Sequence, residues 1–272
     1  MAPIRLSDHH HDVFERDGFV IIRNVLSTDE VAGALSQFEP LFSGTFETGR
    51  QPDEWNWRSG QSDPTLTRQI CNGWRADNII SGIVLRSDIG QACAQLRGWS
   101  GARLNQDNII WKPPGTKALG FHQDESYQNW NEPGEMMTCW MTLDDTSNDG
   151  GTIEYVRGSH RWELAGPIEQ FHAPDDPVAD LNAAARQADE TPEFVPIEVQ
   201  AGDAVIHHGK TWHGSRSNVS KTQRRTVVAH CMAGHSRYHR EHDHEVYGRY
   251  RQEGSLEMPT EHFPWIWRDG GT

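Results

Sequence analysis

Between Arg103 and Met232 the chain runs as short apolar segments rich in β-branched and aromatic residues, each closed by glycine, proline, asparagine or aspartate. Arg103–Trp111 (RLNQDNIIW) stops at Lys112-Pro113-Pro114-Gly115, and Met136–Leu143 (MMTCWMTL) stops at Asp144–Gly151 (DDTSNDGG). Thr152–Val156 is closed by Gly158-Ser159-His160, Phe194–Val199 alternates, Gly202-Asp203 turns into a run ending at His208, and Thr226–Met232 (TVVAHCM) is the last buried run. Runs of this length between turn formers read as strands, and many of them in succession predict a sandwich or jelly roll. Strand side chains alternate, so Leu104, Gln106, Asn108 and Ile110 are expected on one face.

The first hundred residues read differently. A short helix is expected from Val13 to Asp17, followed by a strand over Gly18–Arg23 (GFVIIR). Ser27 with Glu30 has the spacing of a capping box, and Val31, Leu35 and Phe38 give the helix behind it an apolar stripe. Residues 44–75 carry Phe46, Trp55, Trp57 and Trp74 without a clean period and read as a long loop and candidate lid. Ile79–Arg97 returns to helical spacing, and a further short helix is expected near Ala179–Ala188. One domain is expected over 1–272: a helical flank with the lid over 1–100, a β core over 101–235, and a tail over 236–272 whose Phe263, Trp265 and Trp267 dock on the body.

A net charge of −14 argues against nucleic acid or an anionic membrane as partner. The chain has no run of 18 apolar residues, and its start, MAPIRLSDHHHDVFERDG, lacks the apolar stretch of a secretory signal. Cys71, Cys93, Cys139 and Cys231 are scattered and read as free thiols of a cytoplasmic protein. His9-His10-His11 reads as a mobile polar lead-in rather than a metal site.

The chemistry concentrates in FHQDESY, Phe121–Tyr127. At a strand end, His122 and Asp124 point to one side and Gln123 to the other. One imidazole and one carboxylate leave a metal site incomplete, and His213 in Trp212-His213-Gly214-Ser215 is the best donor of the missing ligand. Two histidines and one carboxylate on one face form the facial triad of non-haem Fe(II) oxygenases, which leaves positions open for a co-substrate and O2. Arg224 follows at the start of the last apolar strand, where a guanidinium would offer a buried dicarboxylate a bidentate partner. Alternation allows only one of Arg224 and Arg225 to face inward.

The start DGFVIIRNVLSTDEV, NIIWKPPG, FHQD, the block CWMTLDDTSNDGGTIEYVRGSHRW and HGSRSNVSKTQRR together resemble the phytanoyl-CoA dioxygenase family of Fe(II)/2-oxoglutarate oxygenases, over most of the chain. The resemblance implies a double-stranded β-helix, the jelly-roll core also found in cupins. It implies Fe(II) held by His122, Asp124 and His213, and 2-oxoglutarate bound at its far carboxylate by Arg224 and Ser215, with Trp140 beside it. It favours Arg224 over Arg225 and places Gln106 and Asn108 along the co-substrate. The reaction implied is oxidation, foremost hydroxylation, of a substrate C–H bond with O2, releasing succinate and CO2. The presence of Asp124 speaks against a halogenase, in which a small residue admits chloride. Glu125, Tyr127, Trp130 and Arg157, with Trp55 and Trp57, are expected near the substrate, a small polar or cationic metabolite or a natural-product intermediate. An acyl-CoA ranks lower for want of a basic cluster, and a cupin-type oxygenase or hydrolase would not need Arg224 or Ser215. Of the other histidines, one of His207 and His208 is expected to face the core without a role. His160 is assigned to a structural turn, and His230, His235, His239, His242 and His244 to a solvated tail.

Overall fold

The computed structural model describes residues 3–270. Five α-helices, α1 (Asp8–Asp17), α2 (Thr28–Phe42), α3 (Asn78–Val84), α4 (Ser87–Arg97) and α5 (Ala179–Ala188), flank the strands. The strands of the first half are β1 (Phe19–Ile22), β2 (Glu54–Trp55), β3 (Arg68–Cys71), β4 (Gly101–Lys112), β5 (Leu119–His122), β6 (Asn131–Glu132) and β7 (Met136–Thr142). Those of the second are β8 (Ile153–Val156), β9 (Phe194–Pro196), β10 (Ala204–His208), β11 (His213–Ser215), β12 (Arg224–Ala233), β13 (Arg237–Tyr238) and β14 (Trp265–Arg268). The larger sheet has the order β1-β10-β7-β12-β4-β3-β2, with β14 also on β4, and the smaller has β5-β11-β8-β9. The pairings are antiparallel. This is the expected jelly roll of two facing sheets.

Period-two alternation sorts the larger sheet's residues between two environments. Ile70, Ile109, Trp111, Cys139, Met141, Ile206, Val227 and Ala229 face outward and bury the apolar sides of α2, α3 and α4. Trp140, Val205 and Val228 face inward and pack with Ile153 and Tyr155 of the smaller sheet. The inward face also carries polar cross-strand rows. His207 pairs with Thr138, Thr138 with His230, and His230 with Gln106. A β-bulge opposite His230/Cys231 absorbs one residue of β4. Leu104 therefore joins the outer apolar core while Gln106, Asn108 and Ile110 face the interior, so the expected single face of β4 is split in two.

Other expectations also need revision. The loop expected over 44–75 contains β2 and β3, which extend the larger sheet through Ile70↔Ile109 and Trp55↔Ile70. Its inward side chains are polar because they face a cavity, which hides the strand pattern in the sequence. The helix expected over 79–97 breaks at Leu85-Arg86, where Arg86 pairs with Asp88 and Glu30 and donates to Val25 O. The histidine triplet is not a loose lead-in: it lies in α1, where the His10 side chain accepts from the Ser7 backbone. The capping box of Ser27 and Glu30 forms as expected, and all four cysteines are buried free thiols.

Past β12 the chain folds back over one end of the barrel. Trp130 is fully buried there among Tyr238, Tyr247, Met258 and Phe263. Trp130→Ala removes the centre of this cluster and should cost about 3–5 kcal/mol. Chemical denaturation measures the loss, and limited proteolysis should show early cleavage between Tyr238 and Phe263.

Candidate metal and co-substrate site

His122 is the last residue of β5 and His213 the first of β11, and the two are register partners. Asp124 opens a 3-10 turn over Asp124–Tyr127. Gly214 lets β11 lie this close to β5, since a Cβ there would sit 2.6 Å from the Phe121 ring. One ligand atom from each of His122, Asp124 and His213 lies within 4.8 Å of the others. Asp124 Oδ1 is 3.4 Å from His122 Nε2 and 3.5 Å from His213 Nε2.

Each remaining polar atom of the three is committed elsewhere. His122 Nδ1 donates to Gly120 O and His213 Nδ1 to Thr211 O, both at 2.9 Å, which leaves the two Nε2 lone pairs facing Asp124. Asp124 Oδ2 accepts from Thr138 Oγ1 at 2.6 Å and from His207 Nε2 at 3.0 Å, which leaves Oδ1 for a cation. His207 Nδ1 accepts from the Tyr155 hydroxyl at 2.8 Å. Because Thr138 gives its proton to Asp124, it accepts from His230 Nδ1 at 2.8 Å. His230 Nε2 then accepts from Asn108 Nδ2 at 2.9 Å, and Asn108 Oδ1 accepts from Gln69 at 3.3 Å. The donor direction is consistent from Gln69 to Asp124.

Burial pushes the Asp124 carboxyl up, but the surrounding histidines, His213 foremost, outweigh it and hold the group well below the usual range. His213 is pushed well down by burial and then by His122, and His207 is pushed down by burial. A neutral imidazole at His213 beside an ionised Asp124 is the protonation state a metal needs of these ligands.

These groups line a cavity of about 580 Å³ that also takes in Gln106, Asn108, Tyr127, Trp140, Ser215 and Arg224. Alternation turns Arg224 inward, 3% exposed, while Arg225 forms a bidentate pair with Asp144 at 2.9 and 2.7 Å. Arg224 bonds to Gly151 O at 3.1 and 3.2 Å and to Thr226 Oγ1 at 3.4 Å, and meets no carboxylate among the described residues. Burial pushes its guanidinium down to about 9.

Several residues expected at the cavity lie elsewhere. In a 3-10 turn successive side chains diverge, so Glu125 points away from Asp124. It accepts from Met136 N at 3.0 Å, and burial pushes its carboxyl up to about 7. Trp130 stands behind Tyr247 rather than in the cavity. Arg157 lies outside, paired with Asp17 at 2.6 Å and Glu193 at 2.7 Å. Alternation sends Trp55 and Trp57 to the outer core and Glu54 and Asn56 to the cavity. Conversely, His230 is buried and His244 half-buried. His230 belongs to β12, and His244 stacks on Tyr247 at the cavity wall. His207, expected to be idle, bonds to Asp124. The phase of β12 could have found His230, since it shares parity with Arg224. Nothing local in the sequence marks Thr138 or Tyr155.

A jelly roll that brings two histidines and a carboxylate together at the edge of an enclosed cavity defines a mononuclear non-haem metal enzyme. The chain belongs to the phytanoyl-CoA dioxygenase (PhyH) family, whose model matches residues 14–226. It is accordingly an Fe(II)- and 2-oxoglutarate-dependent dioxygenase. Similar curated proteins include the dioxygenase cdmD of Talaromyces verruculosus, 23% identical over 241 residues, 81% of this chain and 72% of that protein. An ectoine dioxygenase of Bordetella bronchiseptica is 26% identical over 233 residues, 79% and 71% of the two chains. The alignment with phytanoyl-CoA dioxygenase domain-containing protein 1 of Danio rerio covers 62% of that relative. Among solved structures, the 2-oxoglutarate-dependent carbocyclase SnoK of nogalamycin biosynthesis shares the fold, with a TM-score of 0.74 and 24% identity over 97% of this chain and 99% of that one.

Thr138→Val removes the donor to Asp124 Oδ2 and leaves a buried acceptor less satisfied. Fe(II) affinity should fall on the order of 10- to 100-fold with the fold intact, as read by anaerobic metal titration and circular dichroism.

Proposed function

We propose that His122, Asp124 and His213 hold one Fe(II), and that 2-oxoglutarate binds it while its far carboxylate meets Arg224 and Ser215. The observation that carries this reading is the convergence of two Nε2 atoms and Oδ1, each the uncommitted atom of its residue, in the same cavity as a buried arginine without an acidic partner among the described residues. The donor set fits the ion, since two imidazoles and a carboxylate suit Fe(II) and leave coordination positions open. When bound, the iron supplies O2 activation coupled to oxidative decarboxylation of 2-oxoglutarate to succinate and CO2, with hydroxylation of a substrate C–H bond. The protein's part is position and exclusion of water. Arg224 presents two N–H groups in a fixed plane, Ser215 adds a hydroxyl, and Trp140 walls the site beside Val228. Asn108 lines the cavity with its side chain held between Gln69 and His230. Tyr247, bonded to Gln106, closes the tail side, and Tyr127 and Phe171 lie against His122.

The substrate end supports a small polar or cationic metabolite or a natural-product intermediate. Glu54, Asn56 and Glu169 line it, and Arg224 stands at the co-substrate end. Among the described residues no cluster of lysines and arginines lines the cavity to hold the phosphates of an acyl-CoA. Similarity to an ectoine dioxygenase and to a carbocyclase of nogalamycin biosynthesis supports the same class. The charge of −14 suits neither nucleic acid nor an anionic membrane as partner. No helix among the described residues is long and apolar enough to cross a membrane. Four buried free thiols suit the reducing cytoplasm, and residues from Glu54 to Tyr247 act on one cavity, as one catalytic unit.

Anaerobic addition of 2-oxoglutarate to the Fe(II) protein should give the weak visible charge-transfer band of a chelated 2-oxo acid. Arg224→Ala should weaken that binding on the order of 10- to 100-fold, the loss of a charge-assisted bidentate contact. Arg225→Ala should leave it within about twofold, since Arg225 serves Asp144. Iron binding without the band in the unaltered protein would sink this reading in favour of a metal enzyme that does not use 2-oxoglutarate.

A further inference from the structure

Lys112 ends β4, is fully buried, and pairs with no carboxylate among the described residues. Its Nζ has three polar neighbours: Arg216 O at 2.7 Å, Lys117 O at 2.9 Å and Ser215 Oγ at 3.1 Å. The two carbonyls only accept. The hydroxyl either accepts or donates. An ammonium has three protons, fills all three contacts, and leaves the Ser215 O–H to donate into the cavity that Ser215 lines. A neutral amine has two protons and one lone pair. The carbonyls take the protons, and the lone pair takes the proton of Ser215. The charge on Lys112 therefore sets which way the Ser215 hydroxyl points.

The surroundings oppose that charge when no anion is near. Lys112 and Arg224 are register partners on the inward face, so two cationic side chains lie side by side out of water. His172 is the other titratable group close by, itself pushed down by burial and then by the charge of Lys112. Across β11 the Arg216 side chain turns away to Glu154 at 2.8 Å, and Lys117 presents its carbonyl. Asp144, beyond Arg224, is engaged by Arg225. Burial, and after it Arg224, pushes the Lys112 ammonium well below the usual lysine range.

We propose that Lys112 is a positioning residue that works as a proton switch behind Ser215: neutral while the carboxylate site is empty, protonated when a carboxylate lies against Arg224 and Ser215. Binding of 2-oxoglutarate then takes one proton from solvent, forms one N–H bond at Nζ, and turns the Ser215 hydroxyl from Lys112 toward the carboxylate. This rests on the assignment of Arg224 and Ser215 to the far carboxylate. The same coupling serves the succinate product, whose departure returns the proton.

Calorimetric titration of 2-oxoglutarate into the Fe(II)-loaded protein, anaerobically at about pH 8 in two buffers of different ionisation enthalpy, counts the protons. The unaltered protein should take up about one proton per 2-oxoglutarate, and its affinity should fall about tenfold per pH unit above the free lysine's value. Lys112→Arg should bind with no uptake near pH 8 and lose the pH dependence below that point, and Lys112→Met should bind more weakly, also without uptake. His172→Gln should keep the uptake. Binding to the unaltered protein without uptake, or uptake that persists in Lys112→Arg or Lys112→Met, overturns the switch and leaves the co-substrate site standing. Absence of any 2-oxoglutarate binding overturns the site itself.

Discussion

The two oxygens of Asp124 have different jobs, and much of the interior is arranged to keep them so. Oδ2 is held by a threonine and a histidine from the larger sheet, while Oδ1 faces two imidazoles from the smaller one. A buried carboxylate is costly unless its lone pairs are met. That requirement places Thr138 and His207 in one cross-strand row and orients His230 through Thr138. It also reaches the edge of the sheet, because Asn108 and Gln69 complete the donor sequence. The metal-facing geometry is thus fixed by groups that never reach the metal.

The second organising element is a separation of charge. At one end the cavity holds four histidines around one carboxylate, and at the other a guanidinium and, behind it, an amine, neither with an acidic partner among the described residues. A ligand that bridges the two ends must offer electron pairs at both. A linear dicarboxylate with a 2-oxo group does so, and a carboxylate at the far end lowers the cost of keeping two cationic side chains out of water.

Much of this was legible in the sequence because strands obey period two and turns use few residue types. Alternation allowed only one of Arg224 and Arg225 to face inward and the family resemblance favoured Arg224, while the spacing of His122 and Asp124 pointed to one centre. It misled where the backbone departs from that period. The bulge in β4 moved Leu104 to the opposite side from Gln106, and the 3-10 turn carried Glu125 away from the cavity. β2 and β3 went unseen because polar side chains turned toward an enclosed cavity look, in sequence, like side chains turned toward water. His230 and His244 were grouped with a solvated tail for the same reason: composition records polarity, not which side of a wall it lies on. Lys112 belongs with them, since a lysine beside two prolines reads as a turn until its carbonyl partners are seen.

The aromatic cluster that seats the C-terminal segment sets a division within the chain. The family match ends at residue 226, whereas Tyr247 and His244, which close one side of the cavity, lie beyond it. Tyr247 rests on Trp130 and Phe263 and touches the matched part of the site through Gln106 and Asn72. The cavity is therefore walled by two stretches of polypeptide, one inside the family match and one beyond it, that meet at a few contacts. Exchanging that terminal segment would reshape one wall of the cavity while leaving His122, Asp124 and His213 in place.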